Sequence, residues 1–159
     1  MKIEKIQSFY CRYENRIVYI TILFFLLLRV FYVFALGNFD KSSFWGMDAY
    51  GYNEYAKTIL YDSSWLKGTN FIGSTREPVY PFFVAGVYFL FGEESFLAVY
   101  IIQAIISSLT LLIIYKLAYL IGNSKAVAYL SLLWAGFYFF YIRWIGELLR
   151  ETLVIFLYT

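Results

Sequence analysis

Two arginines stand inside or beside apolar runs, where a guanidinium group can hold an anion. Arg29 lies within the apolar run 17–36, about seven residues, or about 10 Å of helix, before its end. It either extends to the nearby lipid headgroups or pairs with a phosphate or a carboxylate inside a helix bundle. Arg76, in "STREPVYPFF", precedes a second apolar run. Its planar fork matches a lipid phosphate, and a solvated loop arginine is the alternative interpretation.

An aspartate opens the tyrosine-rich stretch "FWGMDAYGYNEYAKTIL", residues 44–60. Asp48, Tyr52 and Tyr55 follow the spacing i, i+4, i+7, which places them on one face of a helix. Asp48 has a plain structural interpretation as a helix-start residue that accepts backbone N–H groups. The tyrosines have one as an aromatic belt at a membrane interface. Spacing alone leaves these alternatives open.

The composition places the chain in a membrane and excludes several classes of site. The 159 residues are 62% hydrophobic and 15% charged, whereas soluble domains have about 25% charged residues. A net charge of +2 without a basic patch argues against nucleic acid. The absence of histidine and the single cysteine exclude a histidine mechanism, an internal disulfide and a zinc cluster. We expect no cofactor, and nothing in the sequence supports a divalent metal.

The first apolar run predicts a membrane-spanning helix over residues 17–36, because about 20 residues cross a bilayer core of about 30 Å. Residues 1–16 form a basic tail ahead of it. Basic residues favour the cytoplasmic side, so this tail is predicted to be cytoplasmic. The residues that carry this argument are Lys2, Lys5, Arg12 and Arg16.

Two further runs predict spanning helices at 96–121 and 126–145, joined by a short turn at 122–125. Lys116 and Lys125 can reach the cytoplasmic headgroups, which places the turn in the cytoplasm. On the first of these two spans Gln103 and Ser107 form a polar stripe, which we interpret as helix packing.

The apolar run 78–92 is predicted to lie at the membrane surface, because a run of about 10–14 apolar residues is too short to cross. If it did span, the turn 122–125 would lie outside, against the lysine bias. Residues 37–95 are therefore expected to form a large external loop. Its juxtamembrane helices are predicted at about 48–60 and 78–91.

The last residues complete an all-α, polytopic fold of three full transmembrane helices plus the start of a fourth. Residues 146–151 are predicted to be external and carry Glu147 and Glu151. Residues 152–159 open a fourth apolar run, so we expect the chain to be the amino-terminal piece of a larger protein. On this map Asp48 and the two glutamates meet the same outer surface.

The order of these segments resembles the amino-terminal part of a known group of enzymes. The segments are a basic tail, a span with a late arginine, "DAYGYNEYAKTIL", "REPVYPFFVAGVYFLFG", two spans with a basic turn, and "LLRETLVIFL". From about residue 17 onward the chain is similar to GT-C superfamily membrane glycosyltransferases. Within them it resembles the dolichyl-phosphate-mannose protein mannosyltransferase-like and aminoarabinose-transferase-like enzymes, glycosyltransferase family 39.

The resemblance implies roles for individual residues. Asp48 matches the catalytic aspartate of the first external loop, which would act as general base. Glu151 matches the acid before the fourth span, with Glu147 as second choice. The element R-x-P-x-Y-P falls on Arg76, Pro78, Tyr80 and Pro81. The substrate-binding positions implied are Arg76, Tyr52, Tyr55, Tyr80, Arg29 and Glu147.

Two positions depart from the family pattern. Ala49 stands where the family often has a second acid, which weakens a metal site in the first loop. Val79 stands where the family often has glycine. The later spans of the family are missing, so we expect this stretch to be inactive by itself.

The function implied is an integral membrane glycosyltransferase of the cell membrane with an external active site. It would transfer a hexose or a pentose, with inversion, from a polyprenyl- or dolichyl-phosphate donor to a lipid, glycan or protein acceptor. The alternative is a transporter or another non-enzymatic polytopic membrane protein, such as a scaffold whose loop binds a partner. Acids outside the spans and a long external loop favour surface chemistry, since transporters place charges near the bilayer midplane.

Overall fold

The computed structural model describes residues 2–37, 39, 46–62 and 78–159, and these residues form helices and the turns between them, with no strand. The predicted all-α class is therefore confirmed for this part of the chain. The helices are α1 Lys2–Leu36, α2 Gly46–Tyr61, α3 Val79–Phe91, α4 Phe96–Gly122, α5 Lys125–Phe137, α6 Phe139–Arg143, a 3-10 helix Trp144–Gly146, and α7 Glu151–Tyr158.

Two helical segments are long and apolar enough to cross a membrane, Arg16–Leu36 and Phe96–Gly122. A third span results only if α5 is taken together with the next helical segment, Phe139–Gly146, which comprises α6 and the 3-10 helix. The angle between α5 and this segment is 56°. The run 126–145 is predicted as one spanning helix, and in the structure α5 ends within it at Phe137. Tyr138 has an extended backbone, with φ −63° and ψ 114°, which interrupts the helical hydrogen-bond ladder.

Local sequence accounts for the turns on both sides of α4. Asn123 ends this helix in the left-handed region with φ 44°, a conformation that asparagine tolerates better than most residues. Ser124 then caps α5 by accepting a hydrogen bond from the Val127 N–H. Before α4, Gly92 closes α3 with φ 100°, so α3 and α4 are joined by a tight turn.

The core has two parts. Val18, Phe25, Leu111 and Leu132 join α1, α4 and α5 in the middle of the bundle. The other cluster lies at the end where α1 finishes and α4 begins. We call this the loop end, and it comprises α2, α3, the first two turns of α4 and residues 144–151.

Candidate functional site

The helix α2 places its buried face against α3 and its first acid at the surface. Tyr52 is 2% exposed and Tyr55 is 6% exposed, and Ala49 and Ala56 are completely buried beside them. Asp48 is exposed in the first turn of the same helix. A carboxylate there interacts favourably with the positive end of the helix dipole. The spacing predicted that Asp48, Tyr52 and Tyr55 share one face of a helix. On α2 the two tyrosines are buried and the aspartate is exposed.

The ring of Tyr52 packs edge-on against the ring of Tyr80, with 4.8 Å between the centroids. This contact joins α2 to α3. Tyr80 is 2% exposed, and burial raises the pKa of its hydroxyl well above the ordinary value. The phenol therefore stays protonated and acts as a hydrogen-bond donor.

The hydroxyl of Tyr80 donates to Gln103 Oε1 of α4 at 2.7 Å. The amide Nε2 of Gln103 donates to the Ile145 carbonyl at 2.9 Å and to the Glu147 carbonyl at 3.0 Å. A continuous set of contacts therefore runs from α2 through α3 and α4 to the segment that carries the glutamates. Gln103, which belongs to the polar stripe predicted on this span, therefore also forms hydrogen bonds to α3 and to the segment before α7.

Glu147 lies just before α7, and Glu151 is the first residue of that helix. Glu147 is 8% exposed and lines a cavity of about 210 Å³ with Arg143, Trp144 and Leu149. Glu151 is in the first turn of α7, and its Oε2 is buried with no hydrogen-bond partner among the described residues. Both carboxylates thus belong to the loop end, where α2 also packs.

Arg29 points into the bundle and is completely buried. Its Nε donates to Ser107 Oγ of α4 at 3.0 Å, and its Nη1 donates to the Phe25 carbonyl at 3.2 Å. Its Cζ lies 5.6 Å from the centroid of the Phe25 ring, in cation–π geometry. Within the described part of the chain its Nη2 has no hydrogen-bond partner. The sequence left headgroup contact and bundle pairing open, and the structure shows the side chain inside the bundle.

A second polar cluster, which sequence analysis missed, fastens α2 to the α3–α4 turn. Tyr88 OH donates to Asn53 Oδ1 at 2.8 Å, and Asn53 Nδ2 donates to Glu94 Oε1 at 3.3 Å. Lys57 Nζ lies 2.6 Å from Glu54 Oε1 and 3.0 Å from Glu94 Oε1. The pair Glu54 and Lys57 is visible in the sequence at i, i+3. Glu94 carries no local signal, because it comes from a distant turn.

The cluster also shifts the ionisation of its members. Burial, and then the nearby negative charge of Glu94, raises the pKa of Tyr88 above its ordinary value. For Lys57, burial lowers the pKa, but hydrogen bonds to Glu54 and Glu94 outweigh it and leave the pKa above its ordinary value. Both groups therefore keep their protons at neutral pH and act as donors in the cluster.

The structure thus brings together α2, Tyr52, Tyr80 and the segment of Glu147 and Glu151. Arg29 lies deeper, between α1 and α4. The predicted phosphate ligand Arg76 falls outside the described residues. Across the parts of the chain that the structure describes, no three His, Cys, Asp or Glu side chains are grouped so as to hold a metal ion.

Comparison with known families gives one match. A family model described as dolichyl-phosphate-mannose-protein mannosyltransferase matches residues 75–158, which is more than half of the chain. The matched region includes α3 to α7 and both glutamates. No curated protein and no solved structure matches the chain.

Proposed function

Because the chain belongs to the dolichyl-phosphate-mannose-protein mannosyltransferase family, we propose that it moves a sugar from a polyprenyl- or dolichyl-phosphate donor to an acceptor outside the membrane. The family makes it a membrane glycosyltransferase of the GT-C type. The finer points of donor, mechanism and topology are our proposal. The sugar is a hexose or a pentose, and the acceptor is a lipid, a glycan or a protein.

In the proposed reaction the acceptor hydroxyl attacks the anomeric carbon of the donor sugar. A bond forms between the acceptor oxygen and that carbon while the bond to the phosphate oxygen breaks. The lipid phosphate leaves with the bonding electron pair, and the hydroxyl proton passes to the carboxylate of Asp48. Direct displacement of this kind inverts the anomeric carbon.

The observation that carries the proposal is the position of Asp48. Asp48 is exposed, while Tyr52 and Tyr55 on the same face of its helix are buried. Through Tyr52 and Tyr80 that helix packs at the same end of the bundle as Glu147 and Glu151. An exposed carboxylate on a firmly packed helix can meet an acceptor hydroxyl, and general-base catalysis of this kind contributes about 10²–10⁴ in rate.

The remaining roles follow from charge and position. Arg76 and Arg29 are proposed to hold the lipid phosphate, because cations stabilise the charge that develops on the leaving group. The Nη2 of Arg29 has no partner among the described residues, which supports an anion-binding role. Glu151, or Glu147 as second choice, supplies a second carboxylate. Tyr52, Tyr55 and Tyr80 are buried, and the contact between Tyr52 and Tyr80 holds the helix that carries Asp48 against α3.

The proposed topology places the amino terminus in the cytoplasm and the loop end outside. The spans are α1, α4 and the bent pair of α5 with residues 139–146, and α7 begins a fourth. The helices α2 and α3 then lie at the outer surface. The lysines flanking the α4–α5 turn support this orientation, because basic residues favour the cytoplasmic side.

The decisive experiment replaces the carboxylate by its amide. Asn caps a helix about as well as Asp, so Asp48→Asn is expected to retain folding and membrane insertion. In the intact membrane protein, transfer of radiolabelled sugar from dolichyl-phosphate mannose, or from a polyprenyl-phosphate pentose, should fall by about two to four orders of magnitude. The matched control is Glu93→Gln, an exposed acid on the α3–α4 turn, which should transfer at the parent rate. Parent activity in a folded Asp48→Asn variant would contradict the proposal.

A further inference from the structure

Gln103 has a buried side-chain amide that forms hydrogen bonds to three other residues. It is 1% exposed. Its oxygen accepts from Tyr80, and its nitrogen donates to the carbonyls of Ile145 and Glu147. A glutamine amide has two N–H donors, so both are used. A buried amide that is satisfied in this way strongly specifies one arrangement of its partners.

The segment that Gln103 holds is not regular helix. The 3-10 helix ends at Gly146, and Glu147 follows in extended backbone with φ −127° and ψ 152°. The next regular element, α7, begins at Glu151. Such a segment has few internal hydrogen bonds to hold it, so its position depends on outside contacts.

The end of α1 also contacts this segment. A Cβ atom placed on Gly146 would lie 3.1 Å from the Cα of Gly37 and 3.1 Å from Cε1 of Tyr32. The chain at Gly146 therefore packs tightly against α1, while the residues on both sides of it in sequence are held by the amide of Gln103. Loss of the amide would remove both hydrogen bonds to the segment and leave its contact with α1.

We propose that Gln103 is a positioning residue of the transferase, which fixes the glutamate segment relative to Tyr80 and hence to α2 and Asp48. The inference rests on the proposed function, and it extends that function to a residue that does not touch the substrate. Gln103 acts through others, since its own side chain is buried and fully bonded. By the same argument the hydroxyl of Tyr80 helps to hold the amide of Gln103 in place, because it donates to the amide oxygen.

The first test compares two substitutions at this position. Gln103→Met keeps the length of the side chain and removes every hydrogen bond. Its kcat should fall by about 10²-fold, because displacement of a catalytic element by about 1 Å has an effect of that size. KM for the lipid-phosphate sugar should stay within about twofold, since the donor is held elsewhere.

Gln103→Glu provides a pH readout of kcat, which is measured at each pH for the protein that remains folded. Protonated glutamic acid can accept from Tyr80 and donate to one carbonyl, so this variant should recover part of the activity at low pH. On ionisation the carboxylate loses its donor and faces two carbonyl oxygens. Activity relative to the parent should therefore fall as pH rises. The control is Thr110→Val, a buried residue of α4 that donates to the Ile106 carbonyl within its own helix.

A second measurement does not depend on activity. Amide hydrogen exchange over residues 144–150 should become about tenfold faster in Gln103→Met than in the parent and in Thr110→Val. Unchanged exchange and unchanged kcat in Gln103→Met would overturn the inference. If Asp48→Asn is inactive while Gln103→Met keeps the parent kcat, only the positioning role fails. If Asp48→Asn is fully active, the proposed function fails, and exchange alone decides whether Gln103 holds the segment.

Discussion

Arg29 and Ser107 are joined by a hydrogen bond of 3.0 Å from Nε to Oγ, which links α1 to α4 inside the bundle. Both residues are buried, at 0% and 1% exposure. A charged group placed at the centre of a span costs about 2.5–3.5 kcal/mol on insertion scales. The serine, the Phe25 carbonyl and the Phe25 ring offset part of this cost, because they surround the guanidinium with acceptors and a π face.

Replacing Ser107 by alanine should therefore destabilise the protein. The Nε of Arg29 would lose its acceptor, and an unsatisfied buried donor costs about 1–3 kcal/mol. The measurement is thermal unfolding of the detergent-solubilised protein. Ser108→Ala is the matched control, because Ser108 is also buried and its hydroxyl donates to Ala104 within α4. Equal losses of Tm in the two variants would show that the link between the helices contributes nothing special.

At Gly136, α5 packs closely against α1. A Cβ atom at this position would overlap the ring of Phe25. Gly136→Ala should lower stability by about 1–3 kcal/mol through overpacking, and Phe25→Leu in the same chain should restore part of it. Gly86→Ala is the control, since a Cβ there meets nothing within 4 Å. It should be neutral or stabilising, because alanine favours the helix. A neutral Gly136→Ala variant would refute the close packing.

The orientation in the membrane can be tested by cysteine labelling. The single native cysteine, Cys11, is first replaced by serine. A cysteine introduced at Glu93 should then react with an impermeant thiol reagent added to intact cells. A cysteine at Ala126, in the first turn of α5, should react only after the membrane is opened. Both parent residues are exposed in the structure. If the cysteine at Glu93 needs permeabilised cells, then α3 crosses the membrane and the proposed loop end is not external.

The contacts of Lys57 predict a defined pH dependence of stability. Its pKa in the folded protein is above the ordinary value of 10.5. A raised pKa means that its contribution is fully present below pH 10.5 and is lost as pH rises through the folded value. The Tm difference between the parent and Lys57→Gln should therefore be constant near neutral pH and vanish at strongly alkaline pH. Lys116→Gln, at an exposed lysine of α4, should show no such difference. A gap between parent and Lys57→Gln that persists at alkaline pH would argue against the ion pairs.

The sequence by itself indicated that the chain lies in a membrane, that its fold is all-α, and which family it resembles. Long apolar runs can satisfy their backbone groups in lipid only as helices, so the all-α class followed from composition and run length. The family followed from the order of short segments, and the match over residues 75–158 agrees with it. Asp48 and the two glutamates stood out because charged residues next to apolar runs are conspicuous in a sequence.

Only the tertiary structure decided how these residues are held. Tyr80 and Gln103 are 23 positions apart, and Gln103 and Glu147 are 44 apart, so no local periodicity could pair them. The bend at Tyr138 could not be predicted either, because residues 126–145 form one apolar run in the sequence. Hydrophobic patterning specifies which face of a helix is buried. The partner that a buried polar group finds there depends on how the helices pack.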